Sequence, residues 1–286
     1  MSAEFRQRHV QCISPSGLHQ LAYTEWGDPG NGKLLVCVHG LSRCARDFDA
    51  LARVMSGHYR VVCPDMPGRG LSGWLKNPME YRLETYIADM VTLLARLDAG
   101  SVHWVGTSMG GMIGMALASL AETPLQKLVL NDVGPIVAAA SLARIGEYLG
   151  KAPHFPDFAA AVQYVRAVSA TFGAHSDAEW TTLAEHVTRR QPDGSYRMHY
   201  DPAIAVPFSA AQPDKDIELW SFYDAIRCPT LVIRGALSDL LKPETLQQMA
   251  GRGPRAKTVE IAGVGHAPTL MHADQIAIVR DFLLAA

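Results

Sequence analysis

Four short, nearly continuous apolar runs recur between residues 34 and 132, and segments of helical character separate them. The runs are LLVCVHG (34–40), RVVCPD (60–65), VHWVG (102–106) and KLVLND (127–132). Runs of this length and hydrophobicity are typical of strands that are buried on both faces of a parallel sheet. Because such strands are joined by right-handed helical crossovers, the chemistry of the chain is expected at their carboxyl ends.

The segments around these runs complete an α/β pattern. Apolar residues from Leu83 to Leu97 repeat at steps of three and four, which predicts an amphipathic helix that begins near Asn77 and stops at Gly100. The segment after residue 108 is apolar nearly all round, as in a helix buried against a sheet. The remaining predicted elements are an amino-terminal hairpin that turns at SPSG, two further strands at TLVIRG (230–235) and TVEIAG (258–263), and a final helix from Ala273 to Leu284.

The alternation stops between residues 135 and 225. Helical patterns take its place around LARIGEYLG, FAAAVQYVRAVSATF and AEWTTLAEHVTRR. An insertion of this length is too long for a simple connection, so it predicts a helical cap over the active edge of the sheet. The expected organisation is therefore a core domain of residues 1–134 and 226–286, with residues 135–225 as the cap.

Composition excludes several kinds of partner. The chain has 26 basic and 28 acidic residues, a formal net charge of −2 and no dense run of Lys or Arg, so neither nucleic acid nor an anionic membrane surface is an expected partner. Neither a secretory signal nor a membrane span is apparent, which favours a cytoplasmic protein. The five cysteines form no ligand spacing and indicate reduced core residues, and neither a metal nor another cofactor is expected.

The most specific motif is Gly106-Thr107-Ser108-Met109-Gly110, between a predicted strand and a predicted helix. A G-x-S-x-G sequence in this context is typical of a sharp, strained turn that projects its serine toward a substrate. Ser108 is therefore the predicted nucleophile.

A serine hydroxyl needs a base, and the base needs an orienting carboxylate. His266 follows the last predicted strand, so it lies at the same sheet edge as Ser108 and is the predicted base. Asp239, in the loop after TLVIRG and 27 residues before His266, is the preferred acid because it can approach the histidine from the adjacent strand end. Asp132 also ends a strand at this edge, and position alone does not separate the two.

Attack on a carbonyl creates an alkoxide that backbone N–H groups commonly stabilise. The N–H groups of Met109 and Leu41 are the predicted donors, since one opens the helix after Ser108 and the other follows the turn at His39-Gly40. His39 is interpreted as a hydrogen-bonded structural residue beneath that turn.

Five motifs in this order resemble those of the α/β-hydrolase superfamily: VHGLS (38–42), DMPGRGLS (65–72), GTSMGG (106–111), RGALSD (234–239) and GVGHAP (263–268). The resemblance spans the whole chain. It implies an α/β fold with an eight-stranded, mostly parallel sheet flanked by helices and a helical cap inserted after the sixth strand. It also supports Ser108, Asp239 and His266 as a catalytic triad.

The resemblance limits the chemistry. A serine at the turn argues against haloalkane dehalogenases and epoxide hydrolases, which use aspartate there. Carboxylesterases, lactonases such as 3-oxoadipate enol-lactonases, and carbon–carbon bond hydrolases remain. The last group typically has consecutive glycines in the oxyanion loop and a tryptophan after the histidine, whereas this chain has HGLS and HAP. We expect hydrolysis of a small-molecule ester or lactone through an acyl-enzyme, with a catalytically idle ligand receptor as the alternative from another class.

The substrate pocket is less constrained by sequence. Aromatic residues of the insertion, including Tyr148, Tyr164 and Trp180, are candidates to line an apolar pocket. Arg43, just beyond the predicted oxyanion loop, is a candidate to meet a substrate carboxylate. The sequence leaves the oligomeric state open.

Overall fold

The first half of the chain builds most of the sheet. The computed structural model describes residues 5–98, 100–211 and 216–285. An antiparallel hairpin is followed by alternating strands and helices, with short 3-10 turns at Ala45–Phe48 and Pro78–Glu80. The elements are β1 (Phe5–Ser14), β2 (Gly17–Trp26), β3 (Leu34–Val38), α1 (Asp49–Met55), β4 (Arg60–Pro64), α2 (Leu83–Arg96), β5 (Val102–Thr107), α3 (Met109–Ala118) and β6 (Leu125–Asn131).

Short helices and very short strands follow β6 before the sheet resumes. They are β7 (Ile136–Val137), α4 (Ala139–Gly146), β8 (His154–Phe155), α5 (Phe158–Val168), α6 (Asp177–Val187), β9 (Thr188–Arg190), β10 (Tyr196–Met198), α7 (Ala205–Ala211), β11 (Ile217–Glu218) and α8 (Trp220–Ala225), with 3-10 turns at Ala170–Phe172 and Pro202–Ile204. The chain then closes with β12 (Thr230–Gly235), α9 (Pro243–Gly251), β13 (Lys257–Ile261) and α10 (Ala273–Leu284).

Eight strands form the main sheet in the order β1-β2-β4-β3-β5-β6-β12-β13. The β1–β2 and β2–β4 pairs are antiparallel, and the other neighbours are parallel. The predicted eight-stranded, mostly parallel sheet is confirmed. Since β3, β5, β6, β12 and β13 run in the same direction, their carboxyl ends share one edge, and the loops that leave this edge can bring distant residues together.

The inner parallel strands are mostly buried on both faces because their alternate side chains enter two separate cores, whereas the edge strand β13 is largely exposed. In β3, Val36 and Val38 pack in the core that contains α2 and α3, whereas Leu35 and Cys37 pack in the core that contains α1 and α10. This two-sided burial explains why the strands show no polar alternation in the sequence.

Helix α2 begins later than its sequence pattern predicts. Asn77 and Pro78 start a separate 3-10 turn, in which the Asn77 side chain accepts a hydrogen bond from the Met79 N–H at 3.1 Å. The helix itself starts at Leu83. Asn77 therefore caps a 3-10 turn, and the predicted start of the helix at Asn77 is six residues too early.

The insertion after β6 contains the predicted helices and also a small antiparallel sheet, β8-β10-β9, which the sequence pattern did not indicate. Its strands have only two or three residues, too few for a period-2 pattern to stand out. Val165, Ala184 and Val187 form a separate small core with Cys44. The division of the chain into a core domain and a cap domain stays a prediction.

All five cysteines are unpaired, and four of them are buried; Cys228 is partly exposed. Among the described residues, none of the helices combines the length and the apolar character that a membrane crossing requires.

Candidate active site

Ser108 lies between β5 and α3 in a strained backbone conformation, with φ of 53° and ψ of −116°. The turn is tight because Gly106 and Gly110 have no side chain: a Cβ on Gly106 would overlap the backbone of Gly110, and a Cβ on Gly110 would overlap the carbonyl of Val38. The two glycines of the motif therefore let β3, β5 and α3 approach closely, and this approach holds Ser108 at the carboxyl edge of the sheet.

His266 follows β13 and contacts Ser108. Its Nε2 lies 3.0 Å from Ser108 Oγ, and its Nδ1 lies 2.6 Å from Asp132 Oδ2. Because a carboxylate only accepts hydrogen bonds, Nδ1 carries the proton and Nε2 presents its lone pair to the hydroxyl. The imidazole is mostly buried, with 16% of its side chain exposed. This arrangement allows the ring to take a proton from Ser108.

Asp132 is the carboxylate that the structure places against His266. It follows β6 directly, has a positive φ of 54° and is completely buried. Its Oδ1 accepts the Gly235 N–H at 2.8 Å, and its Oδ2 also accepts the Ser238 hydroxyl at 2.6 Å. With the imidazole N–H, three donors satisfy the buried carboxylate and fix its orientation.

The prediction that Asp239 orients His266 is wrong. Its carboxylate forms a two-pronged ion pair with Arg144 of α4, at 2.7 and 3.0 Å, and its side chain is about half exposed. The loop after β12 turns the preceding residue, Ser238, inward onto Asp132, so Asp239 faces outward. Asp132, the alternative that the sequence left open, occupies the position beside His266.

Leu41 and Met109, whose N–H groups are the predicted donors, line the same cavity as Ser108. Among the described residues, neither N–H donates to a protein acceptor. The carbonyl of Gly40 accepts hydrogen bonds from His39 Nδ1 at 2.7 Å and from the Arg43 N–H at 3.2 Å. The Gly40 carbonyl and the Leu41 N–H belong to the same peptide, and in a trans peptide these two groups point in opposite directions. The two hydrogen bonds to the carbonyl therefore direct the Leu41 N–H away from His39 Nδ1 and the Arg43 N–H.

His39 and Arg69 hold the loop that contains Leu41. His39 is fully buried and accepts the Met66 N–H at 2.9 Å through Nε2, which confirms its structural interpretation. Burial lowers the pKa of His39 to about 4, so the ring is neutral near neutral pH. Arg69, also fully buried, donates from Nε to the carbonyl of Leu41 at 2.8 Å and from Nη1 to the Tyr86 hydroxyl at 2.8 Å.

Arg69 was not identified as a site residue from the sequence, although it lies in the DMPGRGLS motif. It forms no ion pair with any residue that the structure describes, and its Nη2 approaches the Met109 sulfur at 3.9 Å. A buried cation without a carboxylate partner is unusual because its desolvation is costly. Its hydrogen bond to the Leu41 carbonyl and its contact with the Met109 sulfur place its charge next to two residues that line the cavity at Ser108.

Two further residues secure the loop of His266. The side-chain amide of Asn131 donates to the Thr107 hydroxyl at 3.0 Å and to the carbonyl of Pro268 at 2.8 Å, so it joins the end of β5 to this loop. Thr171 of the insertion donates from its hydroxyl to the carbonyl of His266 at 2.7 Å. The only sequence signal for Asn131 was its place before Asp132 at a strand end.

A cavity of about 300 Å³ opens in front of Ser108, at the lower end of the range for small-molecule sites. Residues from the sheet edge, from α2 and α3 and from the insertion line it, and nearly all are apolar. The insertion contributes, among others, Leu142, Ile145 and Phe208. The site therefore favours a small substrate with an apolar body.

None of the four residues predicted for the pocket lines this cavity, so that prediction is wrong for the space next to Ser108. Arg43 pairs with Asp47 through two hydrogen bonds of 2.8 and 2.6 Å, and its guanidinium is therefore already occupied.

The three predicted aromatic residues pack against other parts of the protein instead. Tyr148 lies against the main core, Tyr164 contacts the ring of Phe155, and Trp180 is 4% exposed and contacts His175. Trp180 is buried and Tyr148 and Tyr164 are partly buried, so these aromatic residues contribute to packing and not to the cavity at Ser108.

Cys12, His19 and Asp89 form a buried group whose potential ligand atoms lie within 4.8 Å of one another. His19 Nε2 and Asp89 Oδ2 are already bonded to each other at 2.9 Å. Burial, with Asp89 nearby, raises the pKa of the Cys12 thiol to about 12, and a protonated thiol is a poor metal ligand. The group lies between the hairpin and α2, away from Ser108, and we assign it no role in the reaction.

Similar proteins share this architecture. A family model described as alpha/beta hydrolase fold matches residues 33–273. The chain is 48% identical over 293 residues to the 3-hydroxybutyrate-oligomer hydrolase of Cupriavidus necator, with 100% of both proteins covered. It is 27% identical over 268 residues to the pimeloyl-(acyl-carrier protein) methyl ester esterase of Xanthomonas campestris pv. campestris, with 90% of this chain and 97% of the relative covered.

Among solved structures, an alpha/beta hydrolase from Novosphingobium aromaticivorans matches with a TM-score of 0.88 and 34% identity, and the match covers 99% of both chains. The similarity therefore includes the insertion as well as the sheet.

Proposed function

The chain belongs to the α/β-hydrolase fold family and is a carboxylic ester hydrolase, and on this premise we propose that it cleaves its substrate through an acyl-enzyme on Ser108. His266 acts as the general base, and Asp132 completes the triad. The observation that carries the proposal is the unbroken chain of hydrogen bonds from Ser108 Oγ to His266 Nε2 at 3.0 Å and from His266 Nδ1 to Asp132 at 2.6 Å.

In the first half of the reaction, Ser108 Oγ attacks the ester carbonyl carbon while its proton passes to His266 Nε2. The carbonyl oxygen becomes an alkoxide, which the N–H groups of Leu41 and Met109 stabilise. These donors are suited to the role because they lack protein acceptors, and an unpaired donor that is already in place requires no reorganisation when charge develops. The alcohol then leaves with the proton from His266, and the acyl group remains on Ser108.

In the second half, a water molecule attacks the acyl carbonyl and gives a proton to His266 Nε2. The Ser108 Oγ bond to the acyl carbon breaks, the serine recovers the proton, and a carboxylic acid is released. Asp132 keeps the imidazole in one tautomer throughout and stabilises the imidazolium in both halves.

The substrate that we propose is a short oligoester of a small hydroxy acid, such as an oligomer of 3-hydroxybutyrate. The support is the relative named for that substrate, which aligns over the whole length of both chains, together with a small apolar cavity at Ser108. An oligoester is favoured over a lactone because the relative's name refers to an oligomer of 3-hydroxybutyrate.

The proposal is tested with purified protein and a panel that contains the 3-hydroxybutyrate dimer, short-chain chromogenic esters and aryl lactones. Wild type should turn over the dimer, and Ser108→Ala should reduce the rate by several orders of magnitude. Equal activity in both proteins, or none in wild type toward any ester, would contradict the proposal. Faster turnover of the lactones than of the dimer would overturn the assignment of substrate class.

A further inference from the structure

One cationic side chain stands out in the cavity at Ser108. Arg82 is the only residue with a formal charge among the described residues that line this cavity. The rest of the lining is apolar or carries a neutral hydroxyl, so Arg82 is the one side chain here with which a substrate anion can form an ion pair. Away from Arg82 and from the N–H groups of Leu41 and Met109, a carboxylate in this lining would lose its hydration without a compensating partner, which is costly.

The guanidinium of Arg82 is available to a ligand. Its one ion contact with a described residue is to Glu84 at 3.8 Å, and the two side chains are 56% and 76% exposed. An exposed pair at that distance contributes little free energy. Arg43 and Arg144, by contrast, are each held by two hydrogen bonds to an aspartate.

The backbone that bears Arg82 is well anchored. Arg82 directly precedes α2, and its neighbours Tyr81 and Leu83 also line the cavity. The Tyr81 hydroxyl donates to Asp201 of the insertion at 2.6 Å and accepts the Leu75 N–H at 2.8 Å. A fixed backbone with an exposed side chain places a positive charge at the mouth of the cavity, while Ser108 lies in its wall.

We propose that Arg82 binds the free carboxylate of the substrate, so that this enzyme prefers short oligoesters that end in a carboxylate over neutral esters of the same size. This inference rests on the proposed function. In an oligoester of hydroxy acids, the terminal carboxylate belongs to the alcohol side of the last ester bond. Arg82 therefore holds the leaving group, and the acyl side lies against the apolar lining.

The test compares the 3-hydroxybutyrate dimer as the free acid with the same dimer whose carboxyl group is converted to a primary amide. The ratio of kcat/KM for the acid to kcat/KM for the amide should exceed one in wild type. It should fall by about tenfold in Arg82→Gln, mainly through a higher KM for the acid, because a hydrogen-bonded ion pair is lost. Arg82→Lys should retain part of the preference, since it keeps the charge without the two-pronged geometry.

Arg96→Gln is the matched control, because Arg96 is an exposed arginine in the last turn of α2, the helix that Arg82 precedes, and does not line the cavity. Its ratio should equal that of wild type. Added salt should lower the wild-type preference for the acid and leave the Arg82→Gln ratio unchanged.

Two results would overturn the inference: a wild-type ratio of one or less, or the same ratio in wild type and Arg82→Gln. Failure of the proposed function has a different signature, since wild type would then hydrolyse neither the acid nor the amide form of the dimer, or Ser108→Ala would hydrolyse them equally well.

Discussion

The carboxylate of Asp132 fixes the ring of His266, and replacing it with an amide tests that role. Asp132→Asn can donate a hydrogen bond to Nδ1 and so favours the wrong tautomer, in which Nε2 is protonated and cannot accept from Ser108. We expect kcat to fall by about 10³- to 10⁴-fold. Steady-state kinetics with a chromogenic ester measures the effect, and circular dichroism checks that the variant folds.

Asp239→Asn is the matched control for this substitution. Its carboxylate pairs with Arg144 at the surface, and such pairs contribute about 0–1 kcal/mol. We expect kcat to stay within about threefold of wild type. A large loss in Asp239→Asn together with a small loss in Asp132→Asn would return the acid role to Asp239.

Arg69 is expected to act as a positioning residue for the Leu41 N–H. In Arg69→Lys the ammonium group keeps a positive charge in the same region. It cannot donate hydrogen bonds to the carbonyl of Leu41, the carbonyl of Pro67 and the Tyr86 hydroxyl at the same time. We expect kcat to fall by about tenfold to a hundredfold, less than the loss of a whole oxyanion donor, with little change in KM. A purely structural role predicts lower thermal stability with an unchanged kcat in the folded fraction.

The turn between β5 and α3 depends on the close approach of the α3 backbone to the backbone of β3. Gly110→Ala would force its Cβ against the carbonyl of Val38, so β3 and α3 must separate. We expect a loss of about 1–3 kcal/mol or more in the free energy of unfolding, measured by urea denaturation. Gly32→Ala is the control, because a Cβ there has no atom within 4 Å, and its stability should match that of wild type. Equal stability of both variants would contradict this account of the turn.

The inner strands of the sheet were predictable from sequence because each is mostly buried on both faces and forms one nearly continuous apolar run; they are β3, β4, β5, β6 and β12. The strand TLVIRG and the final helix from Ala273 to Leu284 have the predicted bounds. The acid was not predictable by the same means, since Asp132 and Asp239 both follow strands at the same edge. The direction in which the loop after β12 turns Ser238 decides between them, and no periodicity encodes that direction.

The pocket was the least predictable part of the site. Its lining comes from the sheet edge, from two helices and from the insertion, so it depends on tertiary packing. The aromatic character of Tyr148, Tyr164 and Trp180 favours a pocket, yet the same character makes them suitable for packing against the core. Arg82 had no signal in the sequence beyond its charge.

For the molecule as a whole, buried His39 makes stability depend on pH. Its pKa is lowered from 6.5 to about 4 by burial, so between these values the unfolded chain binds a proton that the folded protein does not. The contribution of neutral His39 to the free energy of unfolding is therefore fully present above about pH 6.5 and is lost as pH falls toward 4. The pKa shift corresponds to a change of about 3 kcal/mol in that free energy. Asp65 opposes this trend, because burial raises its pKa to about 6.

Comparison of wild type with His39→Asn isolates the His39 contribution, since Asp65 is present in both proteins. We expect the free energy of unfolding to fall more steeply for wild type than for the variant between pH 6.5 and 4, as measured by denaturant titration at several pH values. Parallel curves would show that His39 is not the group responsible.

The most direct test of the central claim is to find which atom forms the covalent intermediate. Wild-type protein treated with a fluorophosphonate, which reacts with activated serines, should gain a single adduct, and peptide mass spectrometry should place it on Ser108. Ser108→Ala should gain none, and Asp239→Asn should be labelled at the rate of wild type. An adduct on another residue, or no adduct in wild type, would contradict the assignment of Ser108 as the nucleophile.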